Sequence, residues 1–451
     1  MVYSTPLGGH SPNRRSRRIA AVLALGAAAS LVLAACSSSD SASEAPASEA
    51  PAAEAPAEEA PAEEAPAEEA PAAEAPADTA ALQAMVDQAL RTDSIPAADL
   101  DPTIQAALTR AAAPLSQEQL DLALECWASM DCEVPGGGDV TVGYISPEVN
   151  TWRKVSRMEA ILQALTYPEV GRIISVTPEF DLAQMQAGVR SLAADGAQVI
   201  VGYNDFGAAL APAFKQAQDG GALVSTFVGP APDAPPGSIT TQVTGDVCAI
   251  GVEMAQKAAE LVSNKGDIVF FNGTPGNPQG ATWNKCAEDE LAANFPDVKV
   301  VGKYDTGWTL QGAFEAATAL LASGQDPQVV LYDYADPMPQ IVKAYEQAGK
   351  GSPDMVTWTS NNDLYRVWEE NQGKETEFSL ADTNSINWPA RVSVTALMDQ
   401  IINGTPAPEL VIYPLPFVNA TPGLYDPNYG ADYPGSTLVP DGVMSGMLSG
   451  S

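Results

Sequence analysis

From Asp139 onward, short β-rich runs alternate with helical segments, and this alternation limits the fold more than any other feature of the chain. The strand candidates are Val140–Ile145, Arg172–Val176, Gln198–Tyr203, Leu223–Phe227, Ile268–Asn272, Val298–Tyr304, Val329–Tyr332 and Met355–Trp358. Helical periodicity fills the gaps, over Trp152–Leu165, Leu182–Ala194, Val247–Val262, Leu310–Ala322 and Gln340–Ala348. Near-continuous apolar strands joined by amphipathic helices imply parallel sheets covered on both faces. Eight such strands fit one barrel or two doubly wound lobes. Two features favour two lobes. Ser238–Val243 reads as a strand that follows Phe227 after a proline-rich loop with no helix, and the units on either side of that break look like two similar halves.

What precedes Asp139 falls into three parts. Arg14, Arg15, Arg17 and Arg18 lead an apolar stretch from Ile19 to Leu31, which ends in Leu33-Ala34-Ala35-Cys36. A basic start, an apolar middle and a small-residue end read as an export signal over residues 1–35, not as a spanning helix. Residues 36–79 carry prolines at Pro46, Pro51, Pro56, Pro61, Pro66, Pro71 and Pro76 among glutamates and alanines. Proline every five residues blocks a continuous helix and unopposed carboxylates repel, so an extended tether is expected. At roughly 3.1 Å per residue it reaches on the order of 130 Å. Residues 80–138 form a helical preface, with apolar spacing over Ala81–Arg91 and Thr103–Ala112 and a capping-box pattern at Ser116 and Gln119 opening a helix through Trp127. Pro135-Gly136-Gly137-Gly138 closes it.

Net charge and two residue types narrow the function. The chain carries −35; removing the four signal arginines and the 12 acidic residues of the tether leaves 18 basic against 45 acidic residues, or −27. Such a surface repels nucleic acid and anionic lipid headgroups. The only histidine is His10, inside the signal, which excludes Ser-His-Asp and Cys-His catalysis and histidine-ligated metals from the exported protein. No metal, cofactor or enzymatic activity is expected. Cys126, Cys132, Cys248 and Cys286 form an even set for an oxidising compartment. Three pairings are possible; Cys126–Cys132 and Cys248–Cys286 are favoured over the others and over a four-cysteine zinc site.

In open parallel sheets, ligands bind beyond the carboxyl ends of the strands. That rule selects Asn150 and Trp152 after the first strand, Asn204 and Asp205 after the third, and Phe227 at the end of the fourth. Asp246 follows at the break between halves. The second half offers Asn277, Trp283, Trp308 and Tyr334, and the later connections Asn361, Asn387 and Trp388. Amides and carboxylates exchange hydrogen bonds with vicinal hydroxyls, and flat rings cover the C–H faces of a sugar or a base. Helix capping is the competing role for Asp246 and Asn361, and core filling for each tryptophan.

Cysteine directly after small residues resembles a bacterial lipobox, which implies that Cys36 is diacylated and anchors the protein to the outer face of the cell membrane. Further on, Asn150-Thr151-Trp152, Leu192-Ala193-Ala194-Asp195-Gly196-Ala197-Gln198-Val199-Ile200-Val201, Thr244-Gly245-Asp246 with Gly251, the Gly273–Gly280 loop and Ala344-Tyr345-Glu346-Gln347-Ala348-Gly349 stand in a telling order. Together they resemble the type I periplasmic substrate-binding proteins of ABC importers, in the ribose-binding branch. That resemblance implies an α/β fold of two Rossmann-like lobes joined by a three-segment hinge, with crossovers near Thr244, Ser360 and Asp382. The lobes would be 139–244 plus about 388–408, and about 245–387 plus 409–420, followed by a tail over 421–451 that acts as a strap or is partly disordered.

Roles follow from the same resemblance. Trp152 occupies the place of a stacking aromatic, Tyr334 lies near a strand-end asparagine and Asn387 near a hinge glutamine. Trp283 stands where an arginine is usual and Phe227 where an aspartate or asparagine is common, so the pocket is expected to be more aromatic and less charged than a ribose site. The expected function is capture of a small polar ligand, most simply a sugar, by a monomer that delivers it to a membrane permease. A sensor for a signalling partner and a nucleoside binder are the alternatives.

Overall fold

The computed structural model describes residues 79–231 and 233–449; the expected export signal with His10, the expected lipidation site Cys36 and the expected tether up to residue 78 lie outside the described residues. The preface comprises α1 (Thr79–Leu90), α2 (Pro102–Ala112), α3 (Gln117–Ser129) and β1 (Asp131–Glu133). Ser116 and Gln119 form the expected reciprocal cap on α3. A disulfide, Cys126–Cys132, then joins α3 to β1.

The first lobe runs β2 (Val140–Ile145), α4 (Thr151–Ala164), β3 (Val170–Val176), α5 (Leu182–Ala194), β4 (Val199–Tyr203), α6 (Ala211–Asp219), β5 (Leu223–Phe227) and β6 (Thr241–Gly245). The second runs α7 (Val247–Leu261), β7 (Gly266–Asn272), α8 (Pro278–Asn294), β8 (Val298–Asp305), α9 (Leu310–Ala322), β9 (Val329–Tyr332), α10 (Met338–Gln347), β10 (Asp354–Thr357), α11 (Asn362–Asn371) and β11 (Leu380–Asp382). The chain then returns through α12 (Pro389–Asn403), β12 (Leu410–Tyr413) and β13 (Val418–Asn419), and ends in α13 (Asp441–Ser449).

The first sheet has the order β1-β3-β2-β4-β5-β6-β12 and the second β13-β11-β10-β9-β7-β8. Every pairing is parallel except the edge strands β1 and β13. The central strands β4 and β9 are buried along their whole length, which is why they read as unbroken apolar runs. The two lobes expected from the alternation are therefore present. In the second, α7 and α8 cross so closely that a Cβ on Gly251 would stand 2.3 Å from the Trp283 carbonyl oxygen. The disulfide Cys248–Cys286 closes the same crossing, so both cysteine pairs are the favoured ones.

Two expectations need correction. Residues 409–420 do not all belong to the second lobe. β12 pairs parallel with β6 in the first sheet, and only β13 reaches β11 in the second. β12 was hard to see because it is a four-residue edge strand whose Leu410 and Ile412 face outward. The Ser360 crossover is also absent: β10 passes through α11 to β11 within one sheet. The lobes are instead connected at Asp246, at 383–388 and at 414–417. The tail is the strap of the two readings offered. Residues 423–430 lie along α11, and the chain beyond them buries Leu438, Val439, Val443, Met444 and Met447, with α13 packed on α3 of the preface.

Candidate functional site

The carboxyl ends of both sheets face a cleft between the lobes. From the first lobe, Asn150, Trp152 and Arg153 come from the start of α4, Tyr203 from the end of β4, and Val228 follows β5. Gln279, Trp308, Asp333, Tyr334 and Thr359 supply the second wall, and Ile386 of a connection closes the back.

The first wall is organised by one turn of helix. Asn150 caps α4, its Oδ1 accepting from the Arg153 backbone N–H at 3.1 Å. The Trp152 indole donates to the Ser385 carbonyl at 2.6 Å, which fixes its ring plane. Behind it Phe227 is fully buried, its ring centroid 6.2 Å from that of Trp152. Arg153 donates to both carboxylate oxygens of Asp205, at 2.8 and 2.6 Å, and lies 4.3 Å over the Tyr203 ring. Such a two-point pair offsets the cost of burying both charges. Burial still pushes Asp205 above the usual carboxylate range, with Arg153 opposing it.

The second wall holds an aspartate without a cation. Asp333 is 4% exposed and accepts from the Trp308 indole at 2.8 Å and the Trp283 indole at 3.3 Å. Burial pushes its carboxyl up to about 6, the two indole bonds opposing. Asp336 is likewise pushed up to about 6 by burial; it accepts from Tyr334 and from Asn361, the latter at 2.8 Å. Trp308 can reach Asp333 because its backbone adopts φ 54°, and its ring lies so close to Gly273 that a Cβ there would stand 1.8 Å from Cε2.

Strain gathers at this cleft. Seven described non-glycine residues have positive φ, and three of them, Val228, Trp308 and Ile386, line it. Two of those are β-branched, for which that conformation costs most. Two buried polar atoms on the cleft residues also lack a protein partner, the Arg153 Nε donor and the Gln279 Oε1 acceptor. Unpaired groups of this kind are unfavourable unless something completes them.

Of the expected site residues, the structure brings Asn150, Trp152, Trp308 and Tyr334 to the cleft. Asp205, Phe227 and Trp283 stand directly behind it and contact residues that line it, and Asn361 reaches it one step further, through Asp336 to Tyr334. Asn387 also stands behind it, donating to the Trp152 carbonyl at 2.9 Å. Asn204 turns the loop after β4, its amide donating to the Gly207 carbonyl at 3.1 Å. Asn277 caps α8 and lies in an outer groove with Gly207 and Pro278. Trp388 is core, edge-on to Tyr413. Asp246 caps α7 and lines a separate depression with Ile95 and Leu415, away from the cleft. Arg153, Tyr203, Gln279 and Asp333 were missed. Asp333 directly follows β9, so the strand-end rule reaches it; Arg153 reads as an ordinary helix residue.

Residues 142–401, more than half of the chain, match the family model for the periplasmic binding protein domain. The chain belongs to the periplasmic-binding-protein family. None of the curated proteins matches it in sequence. Among solved structures, this periplasmic binding protein is similar to an ABC-transporter solute-binding protein from Burkholderia graminis in complex with D-arabinose (15% identity, TM-score 0.56, 62% of this chain and 96% of that one). A solute-binding protein from Bacillus halodurans with bound myo-inositol is similar at 16% identity and TM-score 0.55, over 63% and 95% of the two chains. So is the fructose-binding periplasmic domain of a hybrid two-component system, at 16% identity and TM-score 0.55, over 62% and 91%. At these identities the likeness establishes the fold.

Proposed function

We propose that the protein captures an uncharged, polyhydroxylated molecule of monosaccharide size outside the cytoplasm and delivers it to an ABC permease. The observation that carries this reading is the pairing of Arg153 with Asp205. The cation of the cleft is already neutralised, so what a ligand meets includes one free N–H, amide groups of Asn150 and Gln279, the hydroxyls of Tyr334 and Thr359, the shared oxygens of Asp333 and the rings of Trp152, Tyr203 and Trp308. That set suits vicinal hydroxyls on one edge and C–H groups on the faces. It offers no free cation to a phosphate or carboxylate. The arabinose and myo-inositol bound in similar structures support the same ligand class. The Cys36 lipid anchor and the tether belong to this reading, holding the binding domain near the permease.

A thermal-shift screen of pentoses, hexoses, inositols, nucleosides, sugar acids and sugar phosphates tests it. One neutral polyol at about 100 times its dissociation constant should add roughly 2.7 kcal/mol of stability, with the anionic analogues inert. A nucleoside or an anion as the best hit would overturn it. Sensing is the second reading, favoured by the likeness to the fructose-binding domain of a two-component system. Ligand-dependent stimulation of a reconstituted permease, or of a kinase, separates the two.

A further inference from the structure

We infer that the C-terminal strap is a fourth connection between the lobes, which holds the empty cleft near its closed spacing, and that Asn362 is the residue that positions it. The inference builds on the two-lobe capture reading above. The three connections at Asp246, 383–388 and 414–417 bring the chain to β13 on the second sheet. From there it crosses back. On the second lobe, the Asn362 side-chain amide donates to the carbonyls of Asp426, Tyr429 and Gly430 at 2.9, 3.1 and 3.3 Å. Its Oδ1 accepts from the Asp426 N–H at 2.9 Å, and its backbone N–H donates to Tyr433 at 2.9 Å. One buried side chain thus saturates a whole turn of the strap.

A few residues further on the strap grips the first lobe. Thr151, beside Trp152, donates to Asp432 at 3.3 Å. Buried Glu159 of α4 accepts from the Thr437 hydroxyl at 2.7 Å and the Leu438 N–H at 2.8 Å, and it also pairs with Arg391 of α12. Between these anchors the strap touches what holds each wall. Ser436 and Ser385 exchange hydrogen bonds at 3.0 and 3.3 Å, and the Ser385 carbonyl is the Trp152 acceptor. Pro434 bridges to Asn361, which donates to Asp336.

The preface reinforces the same place. Arg91 pairs with buried Asp382 and donates to the Ser360 hydroxyl and Thr383 carbonyl at 3.2 and 3.1 Å, beside the second connection. Hinge opening needs the two walls to separate. Short hydrogen-bonded anchors on both lobes, a few residues apart along the chain, oppose that separation.

Distance distributions between nitroxide labels on Arg190→Cys of α5 and Ala293→Cys of α8, both exposed, in the ligand-free full chain with its disulfides intact, test the inference. The strapped protein should give one narrow distribution, and Asn362→Ala a broader one shifted to longer distance. Asp432→Ala, at an exposed position, should give a smaller shift in the same direction and decides the matter should Asn362→Ala fail to fold. An unchanged distribution in a folded variant, or a parent distribution already as broad, overturns it. No ligand enters the measurement, so a failed ligand screen would leave this result standing.

Discussion

The two walls of the cleft solve the burial of charge differently. The first lobe places a carboxylate and a guanidinium together, Asp205 with Arg153, and neutralises both. The second lobe buries Asp333 and Asp336 with indole, phenol and amide donors and no cation. The first arrangement is held by two charge-assisted hydrogen bonds between opposite charges. The second leaves two carboxyls near 6, where a proton can be gained or lost. A ligand between them therefore meets one ion-paired wall and one wall of carboxyls without a cation.

Breaking the first wall should have the largest effect. Asp205→Ala strands a buried guanidinium and should cost about 3–5 kcal/mol, read as a lower denaturant midpoint, because removing one partner leaves the other charge uncompensated. Replacing both, Arg153→Met with Asp205→Leu, should restore much of that stability while binding stays lost. Equal stability in Asp205→Ala and the parent would mean that the pair is hydrated. Trp152→Ala should come next. It removes the stacking face and should weaken binding of the best sugar in the screen at least tenfold, about 1.4 kcal/mol, with little change in fold. Gly273→Ala tests the second wall. Its Cβ cannot coexist with the Trp308 ring in place, so affinity should fall as Trp308 is displaced, and titration calorimetry would show it.

How much of this could be read from the chain follows from where each signal lives. Strands such as β4 and β9 were legible because burial on both faces forces unbroken apolar runs. β12 was not, since half of its side chains face solvent at a sheet edge. In the site, Asn150 and Trp152 were legible from their position after β2. Arg153 was not, because its value depends on Asp205, fifty-two residues away, and on the Tyr203 ring beneath it. Trp283 fooled the spacing argument: a tryptophan at a loop-to-helix junction turned inward, between Phe270 and Trp358, and reaches the site only through Asp333. Before α13 the strap had no periodicity to read; its order over 421–440 comes from single contacts with Asn362 and Glu159.

The titratable wall gives a smaller effect with a definite sign. Asp333 has a folded value near 6 against an unfolded value near 3.8, so between those pH values the native state holds a proton that the unfolded chain has lost. Stability then falls as pH rises through that window, by up to about 1.4 kcal/mol per pH unit for one full proton. In Asp333→Asn the slope of unfolding free energy against pH between 4 and 6 should be more positive by as much as that one proton. An unaltered slope would mean that Asp333 does not titrate there. With a sugar bound the direction reverses: a ligand hydroxyl that donates to the carboxylate favours the ionised form, so affinity should weaken as pH drops below about 6.

Asp246 separates the resemblance from the geometry at the lowest cost. By spacing it belongs with the ligand residues; by position it caps α7 and lies in a depression beside the preface, away from Trp152 and Asp333. Asp246→Ala removes the bond to the Ala249 N–H and should lower stability by about 1 kcal/mol. Sugar affinity should stay within twofold of the parent, while Trp152→Ala in the same assay falls at least tenfold. A parallel loss in both would place the binding surface nearer the hinge than the cleft allows, and would move the candidate site off the wall that Arg153 and Asp205 build.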